Sequence, residues 1–72
     1  MENILFVYHY HATAQTKDGL TSTYDGIIEV KKEIDSMKDY NEVKDWIAMR
    51  NPIYVRNTIA ITSLNFLNIK VQ

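Results

Sequence analysis

The run from Ile4 to Ala14, "ILFVYHYHATA", alternates without a single charge, and no other feature of the chain restricts its fold as much. Its even positions are Ile4, Phe6, Tyr8, Tyr10, Ala12 and Ala14; its odd positions are Leu5, Val7, His9, His11 and Thr13. Aromatic and β-branched residues at a period of two describe a strand, because successive side chains leave opposite faces of the pleat. The even set is the more apolar and is assigned to the core. A strand without charge belongs in the middle of a sheet, since edge strands ordinarily carry charges that discourage pairing with other chains.

A turn and a second strand come next. Lys17-Asp18-Gly19 is turn chemistry, with Gly19 free to take the positive φ that closes a hairpin. The second strand is "TSTYDGIIEV", Thr21 to Val30. A two-residue Asp18-Gly19 turn would put Asp25 and Glu29 beneath the core tyrosines, which the cost of burying charge disfavours. A three-residue loop with a glycine bulge pairs even with even positions. Phe6 then faces Val30, Tyr8 faces Ile28, Tyr10 shields Gly26, and Ala12 faces Tyr24. On the reverse face Thr13 meets Thr23, His11 meets Asp25, and His9 meets Ile27.

Lys31 to Asp35 reads as a charged connector, and "SMKDYNEVKDWIAMRNP" as a helix. Asp39 with Glu42 makes one capping box, and Ser36 with Asp39 offers an earlier start. Asn51-Pro52 stops the helix. Tyr40, Val43 and Ile47 form the stripe that should face the sheet. Trp46 lies at the edge of that stripe and Met49 points away; either the succeeding "PIYV" covers both, which is the expectation, or they form an exposed contact patch. The third strand is "TIAITSLNFLNIK", residues 58–70, whose apolar parity shifts midway. A bulge near Thr62-Ser63 would restore one core face, and burial on both faces would serve as well.

The order strand, strand, helix, strand points to an α+β fold over residues 1–72 as one small domain. Three antiparallel strands in order 2-1-3 carry one helix on one face. The opposite face would hold Leu5, Val7, His9, His11, Asp25 and Ile27, joined by apolar residues of the third strand. Such a face sits poorly in water, so these residues are the candidate interface.

Composition narrows the function. Seventy-two residues without cysteine allow neither a disulfide framework nor a thiolate metal site or thiol nucleophile. Eight Lys and Arg against nine Asp and Glu give no basic surface for a phosphate backbone, which argues against nucleic acid. No run approaches the roughly 20 apolar residues of a membrane span, and the N-terminus lacks the look of a signal peptide. A soluble, cytoplasmic protein is expected. His9 and His11 at i and i+2 could share a metal, but only Asp25 offers itself as a third ligand, and zinc sites use three or four. His11 with Asp25 has the look of half a triad, with no serine placed to complete it: Ser22, Ser36 and Ser63 stand in ordinary settings. Two glycines are too few for a phosphate-cradling loop. The histidines are therefore read as interface residues, with no catalytic residue, metal, cofactor or small-molecule substrate implied.

The aromatic hairpin around "DG", the acidic helix "DYNEVKDWI" and the closing "IAITSLNFL" resemble the small accessory proteins of bacteriophages and prophages. That resemblance implies a bacterial cytoplasm and a role in modulating a host or defence protein by binding. It carries over no functional residue. The expectation is a non-catalytic protein-interaction module, a homodimer or the partner of a host or defence protein. The alternatives are a single-stranded nucleic-acid-binding domain, or a small metal-binding or enzymatic protein using His9 and His11.

Overall fold

The computed structural model describes residues 3–71. Strand β1 spans Ile4–Gln15 and strand β2 Thr21–Val30, followed by helix α1, Met37–Arg50. A 3-10 turn, Arg56–Thr58, leads into strand β3, Ala60–Val71. The three strands form one antiparallel sheet in the order β2-β1-β3, so the uncharged strand is central.

The hairpin adopts the register that keeps acids off the core face: Phe6 pairs with Val30, Tyr8 with Ile28, Tyr10 with Gly26 and Ala12 with Tyr24. Its loop is the three-residue Lys17-Asp18-Gly19. The Gly19 N–H donates to Thr16 O at 2.9 Å, the Thr16 N–H donates to Leu20 O at 2.8 Å, and Gly19 sits at φ +89°. Thr16 Oγ1 donates to the Asp18 carboxylate, which holds Asp18 below the usual carboxylate range.

Helix α1 takes the earlier of its two possible starts. Ser36 is the N-cap, its Oγ accepting from the Asp39 N–H at 3.2 Å, while the Asp39 carboxylate accepts from the Asp35 N–H at 3.2 Å. At the other end the Asn51 side chain donates to Ile47 O at 2.9 Å, closing the helix before Pro52. Val43 and Ile47 are buried against Tyr8, Tyr10, Ala12, Ala14, Ile28 and Ile59. Tyr40, the third residue of the stripe, is only half-buried.

The segment after the helix does not cover it. Lys17 N–H donates to Ile53 O and Val55 N–H to Gln15 O, so residues 53–55 run along the end of β1 instead. Trp46 still packs on Tyr10, edge-on at 6.1 Å, with the Arg50 guanidinium 4.8 Å from its ring. Met49 is left 77% exposed, contrary to expectation. Arg56 fastens the 3-10 turn to the helix through Asp45.

Strand β3 has two register shifts against β1. One lies where His11–Ala12 meet Ser63–Ile61, and a second where Val7–Tyr8 meet Asn68–Phe66. Thr62 and Leu67 are the extra residues. The bulge near Thr62-Ser63 is the one the sequence suggests; the bulge at Leu67 is not foreseen by it. Together they turn Ile61, Leu64, Phe66, Ile69 and Val71 to the helix side. Ala60, Ser63, Asn65, Asn68 and Lys70 occupy the reverse face. The two-sided apolar third strand is thus replaced by a one-sided one.

Candidate functional site

Two surfaces stand out, one on each face of the sheet. The reverse face, which carries the interface residues expected from the sequence, is mostly polar. From β1 it presents Leu5, Val7, His9 and His11, from β2 Asp25, Ile27 and Glu29, and from β3 Ser63, Asn65, Asn68 and Lys70. Val7 is only 7% exposed and cannot be an interface contact. The reason lies in its neighbours. Glu29 pairs with Val7 on one side of β1 and Lys70 with Leu5 on the other, and their side chains meet at 3.2 Å. They can do so only by crossing over β1, where their aliphatic stems shield Val7 and leave Leu5 half-buried. Ile27 remains exposed, but one isolated isoleucine is ordinary surface. The apolar reverse face expected from the sequence is not there.

At the centre of this face is a cluster. His11 is the direct cross-strand partner of Asp25, yet the hydrogen bond runs diagonally, from His9 Nε2 to Asp25 Oδ2 at 3.2 Å. The register alone points to His11 for that contact, and the structure corrects it to His9. Diagonal neighbours lie within reach of long side chains, and strand twist brings one diagonal closer than the other. The two imidazoles stand edge-on with centroids 4.7 Å apart, and ligand atoms of His9, His11 and Asp25 all lie within 4.8 Å of one another. Ser63 faces His11 from β3, a placement the sequence does not reveal. Its hydroxyl accepts from Asn65 Nδ2 at 3.0 Å, while the carboxylate engages the other histidine. A serine–histidine–carboxylate relay is therefore not assembled among these residues.

The second surface lies on the helix side. A helix of 14 residues is about 21 Å long, whereas a strand of 12 residues runs about 40 Å. The molecule measures 45 × 20 × 19 Å, and α1 covers only the hairpin half of its sheet. Tyr8 marks the boundary, its hydroxyl accepting from the Ile34 N–H at 3.1 Å where the connector leaves the sheet. Beyond it Ile4, Phe66, Ile69 and Val71 are about half exposed, as is the bulge residue Leu67. Phe66 packs edge-on against Tyr8 at 5.5 Å and tilted against Phe6 at 6.4 Å, so the patch has an ordered aromatic floor. Sequence reasoning finds the third strand's apolar residues in need of cover but misses that they lie uncovered on the helix side, although the lengths of the elements carry the signal.

A cavity of about 290 Å³ separates β2 from the start of α1. Ile28, Val30, Ile34, Val43 and Trp46 supply its apolar wall, and Asp39 and Glu42 lie at its rim. Asp39 is committed to the helix cap and to Lys32, 3.4 Å away. No helix among the described residues is long and apolar enough to cross a membrane. No known protein family, curated protein or solved structure matches the chain.

Proposed function

We propose that this chain is a small protein-interaction module that works as a homodimer, joined through the uncovered end of its helix-side face. The observation that carries this reading is the placement of Ile4, Phe66, Leu67, Ile69 and Val71 beyond the reach of the helix. The accessible surface of 5019 Å² exceeds the roughly 4,600 Å² expected of a compact chain of 8.4 kDa, in keeping with an unfinished core. Contiguous apolar patches on small proteins ordinarily mark contact surfaces.

A second copy suits this surface for a geometric reason. Four of the five residues belong to β3, which is an edge strand with its outer backbone groups unpaired within the sheet. Two copies meeting antiparallel along β3, centred near Ile69, would satisfy those groups and bring both patches side by side. Edge pairing and apolar burial then act together, as an isologous interface of more than about 1,000 Å² requires. Modulation of a host or defence protein remains the wider role that the phage-protein resemblance suggests, and a foreign protein is the alternative occupant of the patch.

Sedimentation equilibrium at micromolar concentration tests the proposal. The wild type is expected to be a dimer, and Leu67→Glu and Ile69→Lys monomers that retain the melting of the helix-side core. A monomeric wild type would rule out the second copy and leave the patch to a foreign partner.

A further inference from the structure

The cluster on the reverse face supports a separate assignment: we infer that His9, His11 and Asp25 form a binding site for a divalent transition-metal ion of the zinc, nickel or copper type. The donors are of the right kind. Imidazole nitrogen and carboxylate oxygen are ligands that borderline ions share, and a two-histidine, one-carboxylate set leaves positions open for water.

The geometry is close to what an ion needs. Ligands at about 2.0–2.1 Å from a tetrahedral ion stand about 3.3–3.4 Å apart. His9 Nε2 and Asp25 Oδ2, at 3.2 Å, already stand at that separation, held by the proton an ion would replace. His11 is exposed, so its ring is free to swing inward and close the remaining gap within a cluster already confined to 4.8 Å. Both histidines leave the same face of the central strand, whose backbone is fixed by neighbours on each side. That rigidity reduces what must be ordered on binding.

The surroundings do not compete for the carboxylate. The register neighbours of the three residues are Val7, Thr13, Thr23, Ile27, Ser63 and Asn65, none of them a cation. Lys70 is engaged with Glu29 farther along the face. Neither ring of the cluster belongs to the apolar end, so this site and the proposed dimer surface stand or fall separately.

The composition makes the test unusually clean. The chain has two histidines and no cysteine, so any site with two nitrogen ligands from imidazole must use His9 and His11. Isothermal titration of the untagged full chain with zinc chloride and nickel chloride should show one ion per chain. Changes to the residues behind a metal's ligands already weaken binding by about 10–100-fold, so His9→Ala and His11→Ala should each weaken it by at least about tenfold. Asp25→Asn should weaken it as well. Copper(II) added to the wild type should give electron paramagnetic resonance hyperfine structure from two nitrogens, and from one in either alanine variant. Thermal melts without metal control for folding. Absence of stoichiometric binding, binding indifferent to the two histidine substitutions, or one ion held between two chains would each overturn the assignment.

Discussion

Tyr10 covers Gly26 with the hydroxyl end of its ring. A Cβ built on that glycine would stand 2.9 Å from the tyrosine hydroxyl and 3.2 Å from Cζ, and the Tyr10 ring is fully buried. The glycine is there for the space and not for an unusual backbone, since among the described residues the positive φ is at Gly19. Trp46 and Tyr24 hold the ring from other sides, with centroids at 6.1 and 5.8 Å.

Gly26→Ala is therefore expected to destabilise the protein by roughly 1–3 kcal/mol, the usual penalty for overpacking a filled core. Denaturant unfolding measures it. A variant as stable as the wild type would mean that the ring can shift away.

The Tyr10 hydroxyl carries a second expectation. Burial, with the Tyr24 phenol beside it, pushes its ionisation well above the usual phenol range, so it stays protonated. No hydrogen bond of ordinary geometry reaches it among the described residues. Leaving a buried polar group unpaired costs about 1–3 kcal/mol, so Tyr10→Phe should be at least as stable as the wild type. A clear loss of stability in the same unfolding assay would show that the hydroxyl has a partner.

Tyr8 differs in having one. It is buried, packs against Phe66, and anchors the connector through the Ile34 N–H. Tyr8→Ala should cost roughly 3–5 kcal/mol, as large aromatic truncations in cores do. A loss below about 1 kcal/mol would place this ring at the surface and reverse the assignment of the two faces.

Asp39 gives the fold a pH dependence. Hydrogen bonding from the Asp35 N–H first, then from Ser36, and the nearby Lys32 ammonium lower its pKa from 3.8 to about 2. The folded state therefore favours the ionised form. The stability this contributes is present in full above about pH 4 and is lost as pH falls through the interval toward 2. Urea midpoints of the wild type and Asp39→Ala should differ at pH 7 and converge as pH falls below about 2. A difference that stays constant over that range would mean that the carboxylate's charge is not what stabilises the helix start.

Much of this fold is legible in the sequence because one constraint decides it. Keeping Asp25 and Glu29 off the tyrosine face leaves a single register for the hairpin, and that register requires the three-residue loop. The parity shift at Thr62-Ser63 is visible because the apolar residues change parity there, from Ile59 and Ile61 to Leu64 and Phe66. The second shift, at Leu67, is equally present in the adjacent pair Phe66-Leu67, but such a pair reads as well as a strand buried on both sides. Only pairing with β1 distinguishes the two. The His9–Asp25 contact escapes because a register names opposite residues, while twist selects among diagonal ones. The uncovered patch escapes because a helix is easily counted as cover for a whole face, when its rise per residue is less than half that of a strand.

The location of the self-association surface is the central claim, and intermolecular nuclear Overhauser effects in a mixed sample of labelled and unlabelled chains test it most directly. Effects between chains are expected from Phe66 and Leu67 to Val71 and from Ile69 to Ile69 of the other copy, with none from Leu5 or Ile27. Effects between chains that arise from Leu5 and Ile27 instead would put the contact on the reverse face and contradict it.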